Sequence, residues 1–461
     1  MQVPRRVDQA LDAGLARIRE QFGVPSGFPP EVALAAVVAA RRVPGPEHVD
    51  RTDRAFVTLD PARSTDLDQA FAMERAGEDI VLHYAIADVG FFVHPGDALD
   101  VEAWKRGVTV YMPDERARLY PAALSEGAAS LLPDGPRPAV VFTVRVDPDG
   151  EVTLDGAERS LVLSRAKLAY DSVTPEQLPA DFAELARRIA LAEQRRGAPR
   201  VEFPEQELAH EDGHWTLRFD PRLRSEDDNA GMSLATNLSV AGTLHAAGTG
   251  LFRVMRSPDE AAVGRLRHSA RAFGLAWPAS QTLADFQRSL STSDPRSAAF
   301  LIAVRRAGGG ASYQPYVAGE TPWHSAMAAT YAHATAPLRR LADRYVVEAT
   351  LAVANGRPVP DDVQAAFAEL PAAMARGETL ANRVDNAVID LAEAVLLSGR
   401  EGDVFPAVVV DEDRRGTVVQ LADPAVMVRI AAHRVDPGDD VRIKLTAVDL
   451  AARTVAFERV G

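Results

Sequence analysis

The sequence predicts an α+β protein of several domains: a small N-terminal helical segment, a mixed α/β unit and a C-terminal five-stranded barrel. Its 461 residues correspond to about three domains of about 150 residues each. Hydrophobic residues make up 47% and charged residues 25% of the chain, the ordinary mix of a globular protein. The predicted secondary structure changes from helices to strands near residue 47 and from helices to short strands near residue 399, which predicts domains at 1–46, 47–398 and 399–461.

Two helices are predicted before residue 43. Five apolar residues recur at spacings of three and four, and Gly23 is a plausible C-cap. They are Val7, Leu11, Leu15, Ile18 and Phe22. A second apolar helix runs from Pro30 to about Arg42, and Pro44–Pro46 indicates a linker. A helix-turn-helix stays open, but a packing hairpin is favoured because nothing marks a recognition helix.

The middle of the chain is first strand-rich and then mostly helical. The apolar runs 55–59, 80–86 and 139–146 are β-branched or aromatic and predict strands. From about 172 to 400, Ala-rich amphipathic stretches predict helices, with one long loop containing Gly308–Gly310 and Tyr313–Tyr316. The glycine run lacks the Lys-Ser/Thr of a P-loop, so we expect no nucleotide cofactor.

The last 60 residues change to short strands separated by turns. The predicted strands are 404–410, 417–421, 425–430, 440–449 and 454–458. Five short strands in so small a segment predict a barrel of the OB type.

Composition limits the compartment and the partners. No run of about 18 apolar residues predicts a membrane span, and residues 1–19 have no apolar signal-peptide core. The chain has no cysteine, which excludes disulfides and thiolate metal sites, and a reducing cytoplasm is the simplest interpretation. We also expect a monomer that does not associate with membranes.

The net charge of −14 argues by itself against a nucleic-acid partner, because phosphate binding depends on Lys and Arg. The charge is distributed unevenly, however. Residues 230–345 contain 12 Arg against 6 Asp plus Glu. Arginine suits phosphate better than lysine does, because its planar guanidinium can donate two hydrogen bonds to one phosphate. This stretch is therefore a hypothetical lining for a phosphate backbone.

Three aspartates follow the strand at 55–59 with the spacing D-x5-D-x-D. They are Asp60, Asp66 and Asp68. In an extended chain, the carboxylates of Asp66 and Asp68 point to one side. Such a cluster is costly without cations, because like charges raise one another's pKa. Bound Mg²⁺, a hard cation that takes oxygen ligands, would compensate the repulsion between these carboxylates. The alternative interpretation is a solvated loop with an Asx-turn and a helix cap.

Residues 331–343 predict the start of another helix. Pro337 fits the first turn, so Arg339 is expected to project where free N–H groups and the helix dipole favour anions. Arg339 could clamp a phosphate there. A surface ion pair with Asp343, at i+4, is the alternative.

These segments together resemble the ribonuclease II/ribonuclease R family, whose catalytic unit is the RNB domain. Thr58–Ala70 is similar to the family's T-I-D-x5-D-x-D-D-A, and 331–343 to Y-x-H-x-T-S-P-I-R-R-Y-x-D. Other ordered blocks match between these two: 83–89, 95–100, 106–113 and 124–131. The barrel resembles the OB-fold RNA-binding domain that ends these enzymes.

The resemblance implies a processive exoribonuclease that hydrolyses single-stranded RNA from the 3′ end to nucleoside 5′-monophosphates. It implies Mg²⁺, or Mn²⁺ in its place, in a two-metal mechanism. Asp60, Asp66 and Asp68 occupy the metal-binding positions, and Asp68 could also act as general base. Arg339 occupies the position of the catalytic arginine.

The resemblance also implies an RNA contact by two aromatic residues. Tyr111 matches the family's tyrosine that stacks on the 3′-terminal base, and Phe203 matches the second base-clamping aromatic. From the residues alone, a pair of core aromatics is the alternative. No strong sequence preference is expected, because stacking tolerates every base.

The chain departs from the family pattern at three places. Gln69 stands where the family has a fourth acid, so it is a possible metal ligand or holder of a metal-bound water. Ala230–Gly231 stand where an acidic pair usually precedes the channel helix, which puts RNA-over-DNA discrimination in doubt. Fewer than 50 residues precede the match, too few for a cold-shock-type barrel.

Two other functions stay open. A catalytically weak RNA-binding or regulatory protein on the same scaffold would explain Gln69 and the missing acidic pair. A phosphodiesterase acting on DNA or short oligonucleotides is the second, and comparison of RNA with DNA of the same sequence separates it from the exoribonuclease.

Overall fold

The computed structural model describes residues 5–198, 205–211, 214–220, 223–290, 295–413, 416–421, 426–431, 435 and 439–460. Within these ranges, no helix combines the length and the apolar character needed to cross a membrane. The described helices are α1 Arg5–Phe22, α2 Pro30–Ala39, α3 Val89–Phe92, α4 Ala98–Arg106, α5 Phe182–Arg196, α6 Arg224–Ala246, α7 Glu260–Ala272, α8 Leu283–Arg288, α9 Pro295–Ala307, α10 Leu341–Ala354 and α11 Asp361–Leu397.

The strands of the first half are β1 Val49–Asp50, β2 Phe56–Asp60, β3 Gln69–Ala76, β4 Asp79–Ala87, β5 Val110–Tyr111, β6 Arg116–Ala117, β7 Arg137–Val146, β8 Val152–Val162 and β9 Ser164–Ala169. Those of the second half are β10 Glu205–Glu211, β11 His214–Asp220, β12 Leu251–Val254, β13 Ser312–Pro315, β14 Val404–Asp413, β15 Gly416–Leu421, β16 Val426–Ile430, β17 Asp440–Asp449 and β18 Thr454–Arg459.

The large sheet carries the acidic loop, residues 61–68 between β2 and β3, which contains Asp66 and Asp68 and directly follows Asp60. Its strands lie in the order β1-β8-β7-β4-β3-β2-β9, with antiparallel neighbours except for the parallel pairs β1–β8 and β2–β9. Large side chains such as Phe56, Tyr84 and Phe142 are fully buried in its core, and α6 and α10 pack on it. Since β2 and β3 are antiparallel neighbours, the loop between them begins and ends at the same end of the sheet.

The two N-terminal helices were expected to form a packing hairpin, but they join different hydrophobic cores. Helix α1 packs on α11 with Leu11, Leu15 and Ile18 fully buried. The approach is close at Gly14, where a Cβ atom would meet Leu391. Helix α2 packs on α4 in the core of the large sheet. The apolar stripe of α1 therefore faces the rest of the protein, whereas α2 buries Val32, Ala36 and Ala39 and leaves Leu34, Val37 and Val38 exposed.

The expected long loop around residue 313 is wrong in part. Residues 312–315 form strand β13, which pairs antiparallel with β12. The Tyr313 ring is buried there, beneath the guanidinium of Arg253 at 4.5 Å. A short two-stranded ribbon accepts Pro315 because the proline stands at the end of its strand.

The C-terminal barrel confirms the predicted OB-like fold. Its strands lie in the order β16-β15-β14-β17-β18, all antiparallel, and the two outer strands approach each other to nearly close the barrel. Helix α11 packs against it, where Glu393 accepts hydrogen bonds from the Met427 N–H at 3.1 Å and the Gln206 side chain at 2.8 Å.

Candidate active site

The structure brings Asp68 and Arg339 into contact although they are far apart in the sequence. Arg339 Nε donates to Asp68 Oδ2 at 3.2 Å, and the Leu338 N–H donates to Asp68 Oδ1 at 2.7 Å. Asp68 is buried, whereas 46% of the Arg339 side chain is exposed. Arg339 is thus held by Nε, and its Nη groups make no hydrogen bond to the described residues. They can face a phosphate from solvent.

The segment carrying Arg339 is a turn before the helix, which corrects the predicted helix start. Helix α10 begins at Leu341, and Arg340 precedes it with extended backbone (φ −134°, ψ 122°). The Arg339 carbonyl accepts from the Thr109 N–H at 3.0 Å, which ties the turn to the preceding chain. Arg339 therefore lies before the first turn of the helix and not within it.

The expected anion site at free N–H groups is also wrong. The Leu338 N–H donates to Asp68, the N–H groups of Arg339 and Arg340 donate to the Ala336 carbonyl, and the Leu341 N–H donates to the Gly107 carbonyl. These amides already have partners inside the protein. The Arg339 side chain therefore provides the positive charge at this point without help from free amides.

Asp343 pairs with Arg340 and not with Arg339, contrary to the i+4 alternative. Arg340 Nη2 lies 2.7 Å from Asp343 Oδ2, and the Ala336 N–H donates to the same oxygen at 2.8 Å. The Asp343 side chain has no exposed surface. The carboxylate therefore holds both ends of the turn 336–340, at a position from which Arg339 reaches Asp68.

Asp60 and Asp68 carry raised pKa values. Burial raises the pKa of Asp68 to about 7, although Arg339 and the Leu338 N–H act in the opposite direction. Burial raises the pKa of Asp60 to about 6; Asp66 adds to the rise and Arg339 opposes it. The Asp60 carboxylate makes no hydrogen bond to the described residues. Asp60 therefore lacks a hydrogen-bonding partner for its charge among the described residues, whereas the contacts of Asp68 offset its burial only in part.

Asp66 is engaged by the β5–β6 hairpin. Arg116 Nη1 lies 2.6 Å from Asp66 Oδ1, and the Tyr111 hydroxyl donates to Asp66 Oδ2 at 3.4 Å. The Tyr111 side chain is 46% exposed, so it is not a core aromatic. It lies beside the acidic loop, where a base could stack on it.

Gln69 is held at both ends of its amide by protein groups. Its Nε2 donates to the Thr335 carbonyl, and its Oε1 accepts from the Tyr84 hydroxyl at 3.1 Å. The Tyr84 hydroxyl in turn bonds with Ser233 Oγ at 2.7 Å. Gln69, the first residue of β3, thus links the end of the acidic loop to Thr335, which precedes the turn 336–340, and through Tyr84 to α6.

Sequence reasoning missed the polar residues that support the site. Asn229 donates to the Leu59 carbonyl at 3.2 Å and to the Tyr170 hydroxyl at 2.9 Å, directly before the Ala230–Gly231 departure. Arg116 was equally unexpected, although it lies only three residues after the matching block 106–113. A polar residue buried next to a motif is a weak signal for such roles, and Asn229 fits it.

Several arginines of the expected lining from residue 230 to 345 form ion pairs within the protein. Arg253 pairs with Glu378, Arg344 with Asp100, and Arg340 with Asp343. Arg339 is the member of this group that joins the acidic loop while staying exposed. The excess of arginine therefore serves internal ion pairs as well as any RNA.

The predicted base-clamping residue Phe203 lies outside the described residues.

The carboxylates fit a hard divalent cation by chemistry. They offer oxygen ligands, and the raised pKa values of Asp60 and Asp68 show negative charge that is poorly compensated. In the described part of the chain, however, no three acidic or histidine side chains are assembled as a metal-holding group. Arg339 and Arg116 occupy oxygens of Asp68 and Asp66 instead.

The fold and this site define a nuclease-like domain followed by an S1-type barrel. The RNB domain model matches residues 48–355, and the RNase II-type exonuclease C-terminal S1 domain model matches residues 403–460. The RNB match covers more than half of the chain. The chain therefore belongs to the RNB-domain family, as its motifs predicted.

The similar proteins include bacterial Ribonuclease R. The chain is 26% identical to that of Aquifex aeolicus over 96% of this chain and 70% of the relative. It is 25% identical to that of Thermotoga maritima over 91% of this chain and 63% of the relative. The chain thus spans about two thirds of the length of these relatives.

Two solved structures show the same fold. Mycoplasma genitalium RNase R in complex with ribose-methylated single-stranded RNA matches with a TM-score of 0.88 and 19% identity, over 98% of this chain and 78% of that one. Yeast Ssd1, described as a pseudonuclease, matches with a TM-score of 0.71 and 16% identity, over 94% and 57%. The same fold therefore occurs in proteins with and without nuclease activity.

Proposed function

We propose that this chain is an exoribonuclease that degrades single-stranded RNA processively from the 3′ end, releasing nucleoside 5′-monophosphates. The observation that carries the proposal is the contact of the buried Asp68 with the half-exposed Arg339 beside Asp60. Ribonuclease R relatives and the RNA-bound structural neighbour support it.

The metal ion of the proposed reaction is Mg²⁺, with Mn²⁺ as a substitute. The carboxylates that would hold the metal ions are those of Asp60, Asp66 and Asp68. Two such ions, when bound, supply a water of lowered pKa and stabilise the leaving 3′-oxygen. Gln69 is proposed to act indirectly, because both ends of its amide already bond with protein groups.

The side chains of this protein would then do three things. Arg339 offsets the negative charge that develops on the phosphate oxygens, since its Nη groups make no hydrogen bond to the described residues. Asp343 keeps the turn 336–340 in place, so Arg339 needs little rearrangement during reaction. Tyr111 stacks on the terminal base and positions the last phosphodiester.

A catalytically weak RNA-binding protein is the second candidate. It is favoured by Gln69, which adds no charge where the family has an acid, and by the fold shared with a pseudonuclease. In that protein Asp68 and Arg339 would stabilise the fold as an ion pair, and RNA would bind without being cleaved.

The first experiment is digestion of 5′-labelled single-stranded RNA with and without Mg²⁺, resolved on a denaturing gel. The exoribonuclease predicts Mg²⁺-dependent conversion to a short 5′-labelled end product with few intermediates. Asp68→Asn is the matched inactive control. DNA of the same sequence tests the preference for ribose. Intact RNA in every lane, with retained binding in a mobility-shift assay, would support the second candidate.

A further inference from the structure

The Arg116 guanidinium forms an ion pair with the Asp66 carboxylate in the acidic loop. Its Nη1 lies 2.6 Å from Asp66 Oδ1. The two side chains are 27% and 13% exposed, so the ion pair is largely shielded from water. Partly shielded pairs are screened by salt much less than exposed ones. Arg116 therefore neutralises Asp66 without help from solvent ions.

The hairpin that carries Arg116 covers the second oxygen of Asp66 as well. Tyr111 is the cross-strand partner of Arg116, and its hydroxyl donates to Asp66 Oδ2 at 3.4 Å. The Arg116 guanidinium lies 5.6 Å from the centre of the Tyr111 ring. One short hairpin thus satisfies both oxygens of Asp66.

The hairpin is fixed from the other side, so Arg116 is not a free surface cation. Val110 and Met112 are buried in the core that contains α11. In the turn, the Met112 N–H donates to the Glu115 carbonyl at 3.1 Å. Arg19 of α1 forms an ion pair with Asp114 in the same turn. The N-terminal helix therefore helps to hold Arg116 against Asp66.

We propose that Arg116 is a built-in competitor of divalent metal at Asp66. A guanidinium and a divalent cation on one carboxylate repel each other, so metal binding at Asp66 requires Arg116 to leave it. The inference rests on the proposed metal-dependent function. The chain would need more divalent ion to fill its site than the three aspartates alone would require.

Titration of the full chain with Mn²⁺, followed by the electron paramagnetic resonance signal of free Mn²⁺, tests this directly and does not depend on activity. Arg116→Gln should bind Mn²⁺ about tenfold more tightly than the wild type, because the competing charge is gone. Arg116→Lys keeps a positive charge and should stay closer to the wild type. Arg118→Gln is the matched control, because Arg118 pairs with Glu126 at 2.8 Å, away from Asp66.

The outcomes separate this inference from the proposed function. Wild-type binding of Mn²⁺ with equal or weaker binding by Arg116→Gln overturns the competitor role and leaves the proposed function intact. Binding by neither protein contradicts the metal site and the competitor role together. Tighter binding by Arg116→Gln but not by Arg118→Gln supports the competitor role, and thermal unfolding in EDTA shows whether each variant is folded.

Discussion

Arg340 Nη2 lies 2.7 Å from Asp343 Oδ2 in an ion pair at the start of α10, where the Asp343 side chain is fully buried, while the neighbouring Arg339 contacts Asp68. Adjacent arginines thus have separate tasks. Arg340 fixes the turn, and Arg339 stays half-exposed for a substrate.

Asp343→Asn should lower turnover at least tenfold while changing RNA affinity little. The change removes the charge that compensates Arg340 and loosens the turn that positions Arg339. Rates are measured under single-turnover conditions, and affinity by fluorescence anisotropy in EDTA. Asp100→Asn breaks a buried ion pair that α10 makes through Arg344, and it serves as the control. Equal loss of turnover in both variants would mean general destabilisation and not positioning.

Arg339→Ala should reduce the rate of cleavage by about 10²–10³ with a smaller effect on binding. The side chain is half-exposed and lies at the surface of the site, so its removal leaves no cavity in the core. Single-turnover digestion of labelled RNA measures the rate. Arg187→Ala, on the exposed face of α5, should behave as the wild type. Near-normal turnover of Arg339→Ala would contradict its catalytic role.

Tyr111→Ala should weaken binding of single-stranded RNA by the loss of stacking on one base, about 1–3 kcal/mol, whereas Tyr111→Phe should bind as the wild type. The phenylalanine variant keeps the ring and loses the hydroxyl that contacts Asp66. Anisotropy of a 5′-labelled oligonucleotide with a free 3′ end, in EDTA, gives both affinities. If the two variants weaken binding equally, the hydroxyl and not the ring is the important group.

Glu393 should make the protein less stable as the pH rises. Burial raises the pKa of this carboxyl from 4.5 to about 7 in the folded state. The folded state therefore holds the proton more tightly than the unfolded state. Its favourable contribution is complete below about pH 4.5 and is lost as the pH rises through about 7, with a total of roughly 3 kcal/mol.

Glu393→Gln tests this pH dependence, because the amide can keep accepting from the Met427 N–H and needs no proton. Urea unfolding between pH 5 and 8 should show a flatter slope for the variant and greater stability at pH 8. Asp60 and Asp68 have raised pKa values of the same sign, so part of the slope should remain. An unchanged slope would show that Glu393 titrates normally.

The elements with a clear period were predictable from the sequence. The five barrel strands were predicted to within about three residues, because alternating apolar residues and turn residues fix both faces and ends. The aspartate loop followed from its position after an apolar strand. Strand β13 was missed, since Gly308–Gly310 and Pro315 are typical of loops and its partner β12 is about 60 positions earlier.

The partners of the site residues were not predictable. Local spacing suggested Asp343 as the partner of Arg339, but the actual partner is 271 positions away in the sequence. The Arg116–Asp66 pair likewise depends on how the hairpin folds back over the loop. Such contacts are set by tertiary packing, and a single sequence carries no local pattern for them.

The hydrogen bond from the Leu338 N–H to Asp68 joins two positions 270 residues apart, and this has a consequence for synthesis on the ribosome. At about 5–20 residues per second, roughly 15–50 s separate the emergence of the acidic strand from that of the arginine turn. During that interval the nascent chain holds its aspartates without Arg339. The proposed nuclease is therefore inactive toward the message that encodes it until the turn has emerged and docked.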